Sequence, residues 1–270
     1  MTAAPSNPPR LAALIPARAG SKRIRDKNIA LLAGHPLIAY TIAAARASGV
    51  CHSVIVSTDC ERYAEIARHY GAEVPFLRPA PLAGDASPDI DWIRHALDWL
   101  SGHKRPHECF SILRPTSPCR KPETIARAWA QFLAQPGIDS LRAVELCAQH
   151  PGKMWIVRGE HMHPLMPMHE DGGRPLHSTQ YAALPRVHVQ NASLEIAWSR
   201  VASEGGTIAG EIVAPFMTEA DEGLDLNSPV DWRLLELMLE EGTASLPKID
   251  CAPFVRNRTA SAPRRKSWAT

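Results

Sequence analysis

The chain has no apolar run approaching the ~18 residues of a membrane-spanning helix, and its opening MTAAPSNPPR lacks the apolar middle of a secretory signal. A cytoplasmic protein is the expectation. The six cysteines, Cys51, Cys60, Cys109, Cys119, Cys147 and Cys251, form no CxxC pair, which disfavours a structural zinc site or a redox dithiol and leaves free thiols. His161 and His163 in HMH have no acidic or cysteine cluster beside them, so a metal centre there is disfavoured too. Neither GxxxxGK followed by Ser or Thr nor GxGxxG occurs, which speaks against Walker-type NTPases and dinucleotide-binding folds. Charge of one sign is also missing: Lys+Arg 30 against Asp+Glu 28 leaves +2. There is no global pull toward nucleic acid or an anionic membrane, and any anion binding has to be local.

Against that neutral background one stretch stands out, LAALIPARAGSKRIRDKN at residues 11–28. The short apolar run bounded by Pro16 and Gly20 reads as a buried strand. Past its carboxyl end come Arg18, Lys22, Arg23, Arg25 and Lys27, with Gly20 and Ser21 between them. Ligands of open α/β sheets sit outside the carboxyl ends of the strands, so this loop is a candidate polyphosphate cradle, the alternative being a solvated basic turn.

The chain then alternates. An alanine-rich helix at 36–48, a strand SVIVS at 53–57 and a helix at 61–70 stopped by Gly71 make one βαβα unit. Residues 72–77 read as another short strand before a Pro-rich loop, RPAPLAGDASPD. A helix at 89–100, a strand CFSIL at 109–113 and a helix at about 123–134 complete a pattern that predicts a mostly parallel, doubly wound α/β sheet. From Asp139 the pattern changes to SLRAVELC, KMWIVR, VQNASLEIAW and TIAGEIVAPFM, a run of strands that suggests a small β-rich insertion. A last helix at 230–240 precedes a basic tail. No repeats occur.

Three other places carry candidate chemistry. Arg114-Pro115-Thr116-Ser117-Pro118 follows a central strand and reads either as a site element or as a helix-capping turn. Arg78 projects toward the same edge, whereas Asp59, after SVIVST, reads as a helix cap. In GLDLNSP, Asp225 and Asn227 are two apart on an extended segment and share a face, which suits a magnesium ion that takes one or two protein ligands. The alternative there is an Asx turn before the last helix.

Taken together and in order, IPARAGSKRIRDKN, VSTD at 56–59, YGAEVPFLRP at 70–79, LRPTSP at 113–118 and LDLNSPVDW at 224–232 resemble the cytidylyltransferases that activate acidic sugars, best known as CMP-sialic acid synthetases. The resemblance runs from about residue 11 to residue 240. It implies a Rossmann-like nucleotidyltransferase domain at 11–140 and 212–242 with helices on both sheet faces. It also implies an inserted dimerisation and sugar-site subdomain at 141–211; by composition the Pro-rich, polar residues 1–10 read as a flexible leader and the basic residues 243–270 as a flexible tail. The implied reaction is CTP + sugar acid → CMP-sugar + pyrophosphate, run by a homodimer with Mg²⁺, or Mn²⁺, and with neither nucleic acid nor membrane as partner. Arg18 and Lys27 match the triphosphate-binding, catalytic cations, joined in the wrapped loop by Ser21 and Lys22. Asn28 matches the α-phosphate contact and Arg78 another CTP contact. Cytosine is expected against Leu14, Ala17, Arg18 and the Arg114 turn. Asp225, also catalytic, matches the metal site, which Asn227 could join through its amide oxygen or water.

The match is poorest where the sugar should sit. TQYAALPRVHVQNASLEIAW keeps Asn191, but Tyr181 and Val189 stand where family members carry arginines. Gln180, Arg186 and Lys153 are the available substitutes, so Gln180, Tyr181, Arg186 and Asn191 form the expected sugar site for sialic acid or a related nonulosonic acid. Asn227 replaces a second metal aspartate, and Arg114 a frequent glutamine. The rival readings are a nucleotidyltransferase for another sugar or base, and a nucleotide-binding regulatory protein that has lost turnover.

Overall fold

A computed structural model describes residues 8–166 and 175–255. Residues 1–7 of the expected leader and 256–270 of the expected tail lie outside this range. The first half runs β1 (Leu11–Pro16), a small hairpin of β2 (Leu31–Leu32) and β3 (His35–Pro36), α1 (Leu37–Ala47), β4 (Cys51–Ser57), α2 (Glu61–His69) and α3 (Asp89–Gly102). Next come β5 (Cys109–Ile112), α4 (Pro122–Ala134), β6 (Ser140–Leu146) and a second hairpin of β7 (Trp155–Arg158) and β8 (His161–Pro164). The chain closes with β9 (His188–Trp198), the short α5 (Ser199–Ser203), β10 (Val213–Met217) and α6 (Pro229–Glu240).

Six strands form one sheet in the order β10-β6-β9-β5-β1-β4. β1 lies parallel to β4 and β5, and β10 parallel to β6, while β9 is antiparallel to both of its neighbours. The period-two alternation of a strand explains the two-sided core. Leu11, Ala13 and Ile15 of β1 pack on the face covered by α1, α2 and α4, whereas Ala12 and Leu14 pack on the face of α3 and α5. α3 meets them with Trp92, Ile93, Ala96, Leu97 and Leu100 at helical spacing. Helices thus flank a mostly parallel sheet, as the alternating pattern predicts.

Three readings of the sequence are revised. Residues 72–77 form no strand; Glu73 alone bridges Ile55, because Pro75 has no N–H to continue the ladder. Of TIAGEIVAPFM only Val213–Met217 is extended, since Gly210 at φ 72° turns the chain ahead of it. β6 and β9, expected in an inserted unit at 141–211, are strands of the central sheet. Among the described residues of that stretch, only the β7–β8 hairpin forms a sheet of its own.

The topology sets one functional edge. The carboxyl ends of β1, β4 and β5 lie side by side, and because β9 runs the other way its amino-terminal half, paired with the end of β6, emerges at the same edge. At the opposite end Phe132 of α4 is fully buried, with its ring 5.7 Å from Trp129 and 5.3 Å from Trp198. Phe132→Ala is expected to cost about 3–5 kcal/mol, read as a lowered midpoint in urea unfolding.

Candidate active site

The cationic loop is held against the sheet by its own backbone. Ala17 N–H donates to the Ser57 carbonyl at 3.0 Å, and Ala19 N–H donates to Asp59 Oδ1 at 2.7 Å. Asp59 is therefore a loop clamp, not the expected cap of α2, whose N-cap position is Cys60. Asn28 Nδ2 donates to the Arg18 carbonyl at 3.2 Å, and Lys27 Nζ donates to the Leu226 carbonyl at 2.6 Å. These bonds shape a cavity of about 290 Å³ lined by Arg18, Ser21, Lys27, Asn28, Arg78 and Arg114. An adjoining cavity of about 470 Å³ shares Arg18, Ser21 and Lys27 and adds Lys22, Arg23 and Asn227. Burial draws the Lys27 ammonium below its usual value, against the opposing pull of Asp225.

Arg78 is 5% exposed; it donates to Ser57 Oγ at 3.0 Å and to the Ser57 carbonyl at 2.8 Å, and stacks over Trp92 at 5.0 Å. Burial lowers it to about 10. Leu14 and Ala17, expected against the base, line neither cavity. The Leu14 carbonyl accepts from Leu113 N–H at 3.0 Å and its side chain lies in the core, while Pro16 takes the wall position. An acidic residue that no local pattern marks, Asp85 of the Pro-rich loop, faces the cations: its carboxylate pairs with Arg18 at 2.7 Å and with Lys22. Lys22 and then Arg18 hold the Asp85 carboxyl below its ordinary range.

On the other side of Arg114 lies a larger cavity of about 770 Å³, walled by Arg114, Glu145, Val189, Asn191, Leu224 and Asp225. Asn191 is fixed there, its Nδ2 donating to Glu145 Oε2 at 3.1 Å and to Thr218 Oγ1 at 2.9 Å. Gly223 permits the close approach, for a Cβ at this position would collide with the Glu145 carboxylate and the Asn191 amide. Of the four expected sugar-site residues, only Asn191 lines this cavity. Gln180 and Arg186 are exposed elsewhere, and the Tyr181 hydroxyl donates to the Ala148 carbonyl at 2.6 Å and accepts from His150 N–H at 2.7 Å. Lys153 is spent on the carbonyls of His177 and Thr179 at 2.9 and 2.6 Å.

Two features sit where the cavities meet. Arg114 Nη2 donates to Asp89 Oδ2 at 2.6 Å and to Glu195 Oε1 at 3.2 Å. Burial works against its charge, but the two carboxylates outweigh it and raise the guanidinium above its ordinary value. Beneath the turn the fully buried Arg120 donates to the Arg114 and Ser193 carbonyls and to Thr41 Oγ1 at 2.9 Å, so one side chain sets both the turn and β9. The second feature is Asp225 with Asn227. Asp225 Oδ2 accepts from the Asn227 amide, while Oδ1 is buried with no hydrogen-bond partner among the described residues. An orphaned carboxylate oxygen on a cavity wall fits a hard cation that takes its remaining ligands from phosphate and water. No group of three or more His, Cys, Asp and Glu suited to a metal occurs among the described residues, His161 and His163 included.

A family profile described as Cytidylyltransferase matches residues 12–142. The chain is 35% identical over 240 residues to the CMP-N,N'-diacetyllegionaminic acid synthase of Legionella pneumophila, covering 86% of this chain and 97% of that one. The chain belongs to the cytidylyltransferase family. A shorter match, 44% identical over 119 residues and covering 44% of this chain and 27% of the other, is to the N-acylneuraminate cytidylyltransferase of Escherichia coli. Among solved structures, a CMP:2-keto-3-deoxy-manno-octonic acid synthetase complexed with CTP has the same fold, with TM-score 0.63 and 14% identity over 86% of this chain and 99% of that one.

In this cytidylyltransferase the residues missed by sequence reasoning are acidic: Asp85, Asp89, Glu145 and Glu195. Each sits in a loop, helix start or strand that has no motif of its own. For the cationic wall, Arg18→Ala and Lys27→Ala are each expected to weaken CTP binding by about 10- to 100-fold, or ~1.5–3 kcal/mol. Isothermal titration measures this, with the exposed Arg25→Ala as the control that leaves affinity unchanged.

Proposed function

We propose that the protein transfers CMP from CTP to the anomeric hydroxyl of an acidic keto-deoxy sugar of the nonulosonic class, releasing pyrophosphate. The observation that carries the reading is the 35% identity over nearly the whole of both chains to a CMP-diacetyllegionaminic acid synthase. A cation-walled cavity abutting a second, larger one supports it. The sugar hydroxyl oxygen forms a bond to the α-phosphorus, the bond to the bridging oxygen breaks, and pyrophosphate leaves with the electron pair while the hydroxyl proton passes to water. Arg18 and Lys27 bind the triphosphate and neutralise the charge that builds on the leaving group. Asn28 orients the α-phosphate and Asn191 the sugar. The rate comes chiefly from positioning and charge neutralisation.

Asp225 and Asn227 would hold Mg²⁺, which when bound supplies further charge neutralisation at the phosphates. Among the described residues no histidine lines the three cavities, and Glu145 and Asp225 are the carboxylates facing the sugar side. Exposed apolar side chains on and beside the β7–β8 hairpin, Val157, Met162 and Leu165 among them, support a homodimer formed through that region. No helix among the described residues is long and apolar enough to cross a membrane; a cytoplasmic enzyme, drawing on CTP to activate sugars for a surface polysaccharide, completes the proposal.

Pyrophosphate release assayed with CTP, Mg²⁺ and a panel of nonulosonic and other keto-deoxy acids tests it. Turnover with at least one acid is expected, and CTP binding without turnover on any would overturn the reading. Asp225→Asn is expected to lower kcat on the order of 100-fold at saturating CTP.

A further inference from the structure

Among the described residues the nucleotide cavity and the larger cavity have one lining residue in common, Arg114. The chemistry of the proposed substrate makes that junction significant. A 2-keto sugar acid in its ring form carries the carboxylate on the anomeric carbon, the same carbon that bears the attacking hydroxyl. Its carboxyl carbon is therefore two bonds from the oxygen that must reach the α-phosphorus. Whatever holds this carboxylate has to stand at the seam between nucleotide and sugar, not deep in the sugar cavity or out on its rim.

We infer that Arg114 is the residue that grips the sugar carboxylate and so selects acidic sugars, an inference that rests on the reaction proposed above. Arg114 is the one cation lining the larger cavity among the described residues. Its Nη2 is committed to Asp89 and Glu195, whereas Nη1 and Nε have no protein acceptor among the described residues. One nitrogen of the guanidinium is thus anchored, and Nη1 remains a charge-assisted donor for a carboxylate oxygen. The anchoring carboxylates fix its plane before substrate arrives, and Arg142 at 2.7 Å from Glu195 shares the burden of that second acid. A cation in this place also separates two like charges, the sugar carboxylate and the α-phosphate, that the reaction has to bring together. The arginine substitutes expected from the sequence, Arg186 and Lys153, line none of the three cavities.

The test compares the sugar acid that turns over fastest with its C1 amide, which keeps the shape and removes the charge, in the full-length enzyme with CTP and Mg²⁺. In the wild type kcat/KM is expected to favour the acid by about 100-fold, as for a site built around a charged hydrogen bond. In Arg114→Gln that ratio falls to about 1, with the loss carried by the acid. A ratio retained in a folded Arg114→Gln enzyme overturns the inference while leaving the cytidylyltransferase reading intact. Absence of turnover on any acid by the wild type would instead strike the reading beneath it. Should removal of the guanidinium from between Asp89 and Glu195 prevent folding, Arg114→Lys keeps the charge and loses the planar group that the two carboxylates hold in place. Its acid-to-amide ratio is expected to drop about tenfold, and an unchanged ratio refutes the assignment. A crystal structure of the wild type with the CMP-sugar gives a readout free of mutation: the carboxylate on Arg114 supports the inference, and a carboxylate held solely by a partner subunit's side chain overturns it.

Discussion

Lys27 Nζ donates to the carbonyl of Leu226, a residue 199 positions further along the chain, and Leu226 N–H in turn donates to the Thr116 carbonyl at 2.8 Å. Through these two bonds one buried leucine joins the loop after β1, the loop after β5 and the segment before α6. Asp225 and Asn227 flank it directly, so the metal candidates and the cationic loop are placed by the same backbone unit. The Leu226 side chain, 1% exposed, locks that unit into the small core beneath α6. Behind it Asp221 and Glu222 are buried against Lys121, Thr124 and Arg127 at the start of α4, which fixes the approach to Asp225 from the other side. The cap of α6 continues the theme: Asp231 accepts from Asn227 N–H at 2.8 Å and from Ser228 N–H at 2.7 Å.

The electrostatic arrangement follows from this geometry. A surface with +2 overall nevertheless places Arg18, Lys22, Arg23 and Lys27 around one cavity. Such a cluster is tolerable in a folded protein only if opposing charges are near, and Asp85, Asp225 and Asp231 supply them. At the seam Arg114 and Arg142 face Asp89 and Glu195 in equal number. The site is thus close to neutral before it binds anything, which stabilises the fold and leaves individual donors directed at the cavity.

Much of this was legible in the sequence, and for stated reasons. β1, α1 and α3 follow from apolar period alone, because each is a local pattern facing a core. The cationic loop and the pair Asp225 and Asn227 were legible because their residue types recur in one order along the chain. What was not legible depends on distant partners. Whether VQNASLEIAW joins the main sheet is decided by β5 and β6, far away in sequence, and its antiparallel direction brings Asn191 to the functional edge. The acidic residues escaped because an aspartate in GDASPD looks like any solvated loop acid until the fold sets it before Arg18. Gln180 and Arg186 stand in a weakly matching segment that the Tyr181 hydroxyl ties to Ala148 and His150, and neither lines the cavity.

Asp85 has one more consequence. Its carboxylate pairs with Arg18 and Lys22, the cations assigned to the triphosphate in the proposed reaction, so on that proposal binding would exchange one anion for another. The gain from each new phosphate contact would be reduced by the ion pair given up. On the return path the same carboxylate would compete with pyrophosphate for Arg18 and Lys22. An internal displacer of this kind would lower the affinity of substrate and leaving group alike, and so would favour turnover over tight retention of the spent polyphosphate.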